Sequence, residues 1–343
     1  MALARCVVAT ILLLDFGAAP AGAAPEGDAR PRKVILDADP GIDDAMAILF
    51  ALRSPALEVL AITTVFGNAD VDVGTANALR LVELLGRNVK VARGAAHPLV
   101  LPKAPAPDFV HGTDGLGNIG APLPKGRAIE ASAAELIVAT VRQYPRAVTL
   151  VAVGRLTNLA LALALEPRLP ELVEEVVLMG GSASAGGNVT PVAEANIWGD
   201  PHAADIVFAA PWKVTMVGLD VTMRVRLQDD RLSRMAGKDE RVGGFLYRIS
   251  RFYKQFHDST GVTGGFYVHD PSAVAYAIDP SLFTTEKARV RVVTEGVALG
   301  QTIAVDGPRA ERWEASRGRP EVTVCRDVDS ERVLRLFEAT VTR

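Results

Sequence analysis

Cysteine is nearly absent from this chain: Cys6 and Cys325 are the only two in 343 residues. That leaves no internal disulfide framework and no thiolate metal site in a processed chain beginning after Cys6. A chain this long buries a large core and does not need cross-links. Cys325 falls in the apolar stretch Glu321–Cys325 and reads as a buried filler. An excess of positive charge is missing too. The formal net charge of −3 gives no basic footprint for nucleic acid. Away from the N-terminus no apolar run reaches membrane-spanning length. There is no internal repeat and no linker rich enough to divide the chain.

What is present is ordinary globular composition, 49% hydrophobic and 22% charged, with 30 glycines and 21 prolines. The first residues form an exception. Arg5, the apolar core Cys6–Leu14 and the small residues Ala21-Gly22-Ala23 predict an export signal over residues 1–24. Asp15 and the single arginine depart from the usual pattern. The expected location is periplasmic or secreted if this segment is a signal, cytoplasmic otherwise, and no cysteine follows to carry a lipid anchor. Fold reasoning begins at residue 30.

From there strand and helix patterns alternate. Strands are expected at Val34–Asp37, Leu57–Phe66, Val89–Ala92, Ala147–Val153, Glu175–Met179 and Lys213–Leu219. Helices are expected at Ala45–Leu52, Val73–Leu85, Ala131–Gln143, Leu156–Leu165 and Pro201–Ala209. This order predicts an α/β fold: a doubly wound, mostly parallel sheet flanked by helices, in a single domain over 30–343. Beyond Gln228 the pattern is helical through Leu232–His257 and Pro271–Ile278. Strands follow at Val290–Val293 and Glu321–Cys325, then a helix at Ser330–Thr340. Pro98–Gly117, with four prolines, and Gly180–Asn188 read as loops.

The most informative segment is Asp37-Ala38-Asp39-Pro40-Gly41-Ile42-Asp43-Asp44, where an apolar strand ends and a helix begins. Such junctions line the carboxyl edge of parallel sheets, where these folds bind ligands. Two carboxylates about 4 Å apart repel by about 4 kcal/mol at an effective dielectric near 20. A helix N-terminus offsets only about 0.3–1 kcal/mol for each. A hard divalent cation with oxygen ligands would hold them together. Other strand ends carry Asn68, then Asn188, Glu194 and Asn196, then His269-Asp270. Each has a structural alternative as a cap, turn or surface residue; taken together they read as one site.

These motifs resemble the inosine-uridine preferring nucleoside hydrolase family. The resemblance rests on Asp37–Asp44, Val65-Phe66-Gly67-Asn68, His111–Gly117, Leu178–Gly181, Glu194-Ala195-Asn196, Val217–Asp220 and Val268–Pro271, in family order over nearly the whole chain. It implies calcium-dependent hydrolysis of the N-glycosidic bond of ribonucleosides to ribose and free base. It assigns Asp39, Asp44, Asp270 and the Val153 carbonyl to Ca2+, and makes Asp39 also the base that activates water. Asp43, Asn68, Asn188, Glu194 and Asn196 would hold the ribose, with Met179 beside the sugar and His269 assisting departure of the base. Relatives are usually homodimers or homotetramers, which sets the same expectation here.

Departures bear on specificity. Arg155 follows Gly154 where relatives often keep a second glycine, and His257 and Gly261 stand where some carry tyrosine and arginine near the base. His257 reads as a solvated helix residue, with a second proton donor as the alternative. His111, in the glycine-rich loop, is a candidate for a lid. His97 and His202 read as structural or exposed, Trp198 and Trp212 as packing residues. Two other functions fit the motifs: a non-catalytic nucleoside-binding protein, and a hydrolase of another ribosyl substrate. A phosphatase fits worse, since no phosphate-binding lysine or P-loop is present.

Overall fold

The computed structural model describes residues 30–343, so the expected export signal lies outside the described residues. Pro31–Arg343 packs as one unit. Its strands are β1 (Arg32–Ala38), β2 (Leu57–Thr64), β3 (Lys90–Arg93), β4 (Val148–Ala152), β5 (Glu175–Met179), β6 (Val214–Val217), β7 (Arg226–Gln228), β8 (Gly265–Tyr267), β9 (Phe283–Val292), β10 (Thr302–Val305) and β11 (Glu321–Val328). Nine form one sheet in the order β10-β9-β11-β6-β5-β4-β1-β2-β3. Pairing is parallel from β3 to β11, and antiparallel where β9 meets β11 and β10. The expected doubly wound, mostly parallel sheet is what forms.

Both faces are covered, which is why β1 reads as a continuous apolar run rather than an alternating one. Val34 and Leu36 pack with the helices Ile42–Arg53, Gly243–Ser259, His269–Ile278 and Ser330–Val341. Ile35, between them, packs on the opposite face with Ala133–Gln143, Thr157–Leu165 and Pro201–Ala209. The winding reverses beside β1: the chain runs outward to β2 and β3, then returns to lay β4 on the other side. Crevices at such reversals are where open α/β sheets bind ligands.

The structure sharpens the sequence reading at four points. The helical stretch expected through Leu232–His257 is divided into two helices, Asp229–Lys238 and Gly243–Ser259. The break comes at Asp239, whose carboxylate accepts from the amides of Arg241 and Val242 and pairs with Arg53. Strand β9 begins at Phe283, well before the expected Val290, and β10 completes its edge. The short antiparallel pair β7–β8 had no periodic signal to announce it. The loop Pro98–Gly117 contains a helical turn, Asp108–His111.

Candidate active site

Asp39 follows β1 directly, and Gly41 precedes the helix that carries Asp43 and Asp44 in its first turn. Asp44 reaches back over this junction. Its Oδ1 accepts from the amide of Asp39 at 3.0 Å and its Oδ2 from that of Gly41 at 3.0 Å. This is the backward half of a capping box, so Asp44 caps its helix while its carboxylate also lies in the acidic cluster. Asn68, from the turn after β2, donates its side-chain amide to Asp44 Oδ2 at 2.9 Å. Its backbone amide donates to Asp39 Oδ2 at 2.8 Å. Asp270 comes from the first turn of His269–Ile278. Carboxylate oxygens of Asp43, Asp44 and Asp270 lie within 4.8 Å of one another, all three residues buried.

The electrostatics of this cluster call for positive charge. Burial, then the charge of Asp44, pushes Asp43 up to about 7. Asp270 is pushed well above the carboxylate range by burial and by Asp43, Asp44, Asp39 and Glu194. Burial also raises Asp39, against the opposing effect of Arg155. Asp39 Oδ1 and Asp43 Oδ1 are buried with no hydrogen-bond partner. A buried, unpartnered carboxylate oxygen is costly unless something binds it. Oxygen-only donors that hold one another at this spacing fit a hard divalent cation. The Asp43, Asp44 and Asp270 cluster could therefore hold a metal ion.

The remaining expected site residues come from other strand ends. Asn196 donates its side-chain amide to the carbonyls of Val153, at 2.7 Å, and Met179, at 3.1 Å, tying together the ends of β4 and β5. Glu194 caps the helix Ala195–Gly199, accepting from the amides of Asn196 at 2.9 Å and Ile197 at 3.1 Å, and it accepts from Gly181 at 2.9 Å. Asn188 stands apart from the buried set; it is exposed, and its Oδ1 accepts from the amide of Ala195 at 3.0 Å. His269 is half-buried, with Nδ1 2.8 Å from the Thr222 hydroxyl. Burial, then the charge of His257, pushes it down to about 3, far from the neutral value its type suggests.

A profile of the inosine-uridine preferring nucleoside hydrolases matches residues 34–335. The chain belongs to this family. It is 40% identical over 318 residues to uridine nucleosidase 1 of Arabidopsis thaliana, covering 92% of this chain and 94% of that one. To the inosine-uridine preferring nucleoside hydrolase of Crithidia fasciculata it is 43% identical over 286 residues, covering 82% and 90%. Among solved structures, a plant nucleoside hydrolase superposes with a TM-score of 0.88 at 39% identity, covering 91% of this chain and 99% of that one. The chain is a nucleoside hydrolase, and its substrates are ribonucleosides.

The structure places three further residues of this hydrolase, one of them against the sequence reading. His257 is buried, not solvated: Nδ1 lies 3.0 Å from the Tyr253 carbonyl, and the ring packs edge-on to Tyr253 and Tyr267. The β7–β8 pair places Phe266 and Tyr267 over that helix face. His111, on the loop read as a candidate lid, lies inside the fold. Its ring is buried, stacks on Tyr253 at 5.5 Å, and accepts from the amide of Ile42. Arg155 turns inward, and its Nη1 pairs with Asp39 Oδ2. Tyr253, unnoticed in the sequence, brings its hydroxyl to 3.3 Å from Asp43 Oδ2. Its signal was the four-residue spacing to His257 on one helix face. Trp212 packs as expected, its indole N–H on the Val207 carbonyl, while His97 is exposed and His202 half-buried. Cys325 is buried, and its thiol is pushed up to about 12, first by burial, which makes it unreactive.

Proposed function

We propose that this hydrolase cleaves the N-glycosidic bond of uridine and inosine in a calcium-dependent reaction, releasing ribose and free base. The observation that carries this reading is the set of unpartnered, buried carboxylate oxygens on Asp39 and Asp43 beside Asp44 and Asp270. Asp39, Asp44, Asp270 and the Val153 carbonyl would hold Ca2+, which when bound lowers the pKa of a coordinated water. Asp39 takes the proton from the attacking water through Oδ1, the oxygen that no protein group holds. Cleaving a ribosyl C–N bond builds positive charge on the sugar, and the carboxylates of Asp43 and Glu194 stabilise it. Asn68, Asn188 and Asn196 hold the ribose hydroxyls, with Met179 against the ring.

His269 assists the departing base as a neutral imidazole. The Thr222 hydroxyl can donate to Nδ1, which leaves the Nε2–H to donate a hydrogen bond to the departing base nitrogen as negative charge builds there. The names of relatives support uridine and inosine as the first substrates. If the segment 1–24 is a cleaved export signal, the enzyme scavenges nucleosides outside the cytoplasm; the N-terminal mass of the chain recovered from culture medium and from cells tests that part.

Ribose release from uridine, inosine, adenosine, guanosine and cytidine, with calcium and with a chelator, tests the activity. Release that needs calcium and disappears in Asp39→Ala is the expected result. A folded, calcium-binding protein releasing no ribose from any of the five would overturn it.

A further inference from the structure

Arg155 brings a guanidinium into a site whose other charges are carboxylates. It is buried, and Nη1 lies among Asp39 Oδ2, Asn196 Oδ1 at 3.4 Å and Asn68 Oδ1 at 3.5 Å. The chain makes room for it with two glycines. A Cβ at Gly199 would come within 2.6 Å of its Nε, and one at Gly67 would overlap its tip and Asp39 Oδ2 together. The group is accommodated along its whole length, so its place is built into the fold.

The pair it makes is only half formed. An arginine that fully neutralises a carboxylate usually does so with two parallel bonds. Here one nitrogen meets one oxygen, while Arg155 Nε and Asp39 Oδ1 are both buried without partners. Asp39 Oδ2 is held from the protein side, by Arg155 and the Asn68 amide, and Oδ1 is left for something else. Two cations sharing one carboxylate repel each other, and burial strengthens the repulsion.

We propose that Arg155 is a resident counter-cation of the carboxylate cluster. It neutralises Asp39 when no divalent ion is bound, and it lowers the affinity of the site for that ion. This inference rests on the cation-site reading above. It makes the fold less dependent on the ion than the carboxylates alone would allow, and sets the calcium concentration at which the site fills.

The test is calorimetric titration of calcium into the chelator-stripped full chain, with melting curves in chelator alongside. Arg155→Gln removes the charge and keeps a hydrogen-bond donor; Arg155→Lys keeps the charge. Gly199→Ala displaces the guanidinium without removing it. Arg155→Gln and Gly199→Ala are expected to bind calcium at least tenfold more tightly than wild type, and Arg155→Lys within about threefold of it. In chelator Arg155→Gln melts lower than wild type, and it gains more from added calcium. Equal or weaker calcium binding by Arg155→Gln and Gly199→Ala overturns the inference and leaves the cation site standing. If no form of the protein binds calcium, the cation-site reading falls and this inference falls with it.

Discussion

His111 Nδ1 lies 3.1 Å from the backbone amide of Ile42, so a side chain from the long proline-rich loop closes the N-terminus of the helix bearing Asp43 and Asp44. The bond requires a neutral ring, because a protonated Nδ1 has no lone pair to accept with. Burial, then the charges of Arg155, His257 and His269, pushes His111 from 6.5 down to about 3.

Acid should therefore weaken the fold through this residue. Between about 6.5 and about 3 the unfolded chain takes up a proton at His111 that the folded chain refuses. Stability falls as pH falls through that window, by at most about 1.4 kcal/mol per pH unit, and the loss stops below about 3. Urea denaturation at pH 7, 6 and 5 checks this against His111→Phe, which keeps a ring on Tyr253 but cannot titrate. The stability advantage of wild type should shrink with acid. An advantage independent of pH would mean that His111 is not held neutral.

Removing the divalent ion should cost stability as well as activity. A ligand present at about 100 times its Kd stabilises by about 2.7 kcal/mol. The melting temperature of the hydrolase should accordingly fall in chelator and recover with calcium. A concentration series fitted for Kd gives the size. No shift at any calcium concentration would speak against a cation among Asp43, Asp44 and Asp270.

His269→Ala separates leaving-group chemistry from binding. A preorganised hydrogen-bond donor to developing negative charge contributes about 10²–10³-fold in kcat. The variant should lose about that much in kcat on uridine and inosine, with KM changed far less. On a ribosyl nitrophenolate, whose leaving group needs no proton, it should stay within a few fold of wild type. An equal loss on both substrate classes would assign His269 to ribose positioning instead.

Phe337→Ala tests the closing helix. Its ring meets that of Phe50 edge-on at 5.3 Å, and both side chains are fully buried. Truncation should cost about 3–5 kcal/mol. Chemical denaturation reads this directly, and a cost under about 1 kcal/mol would show that the helix docks elsewhere in solution.

Legibility in the sequence followed the physics of each segment. The parallel strands were plain because both faces are largely buried, so β1, β2, β4, β5 and β6 are rich in Val, Ile and Leu with few polar interruptions such as Glu58, Thr149 and Thr215. Strand β9 was half hidden, since its first half exposes Thr284, Thr285 and Lys287. The helix break at Asp239 lay inside a continuous periodic pattern, because the cap there comes from a residue that would also suit a helix surface. At the site, Asp39, Asp43, Asp44, Asn68 and Asp270 converge as their strand-end positions implied. The burial of His257 depends on β8, too short to be seen, and the inward turn of Arg155 depends on space left by Gly67 and Gly199, far away in sequence. Periodicity cannot report vacant space contributed by other segments.

Strand β11, Glu321–Val328, follows every other described strand along the chain, yet it sits inside the sheet between β6 and β9. Until it pairs, β6 has an open edge and the β9–β10 pair has nothing to join. Pairings so distant along the chain are slow to form, and open strand edges invite aggregation meanwhile. A chain in which β11 has not yet paired therefore holds the cluster residues without the completed sheet that supports them. The aspartate motif and the scaffold that holds it lie at opposite ends of the described chain, and the pocket waits on their meeting.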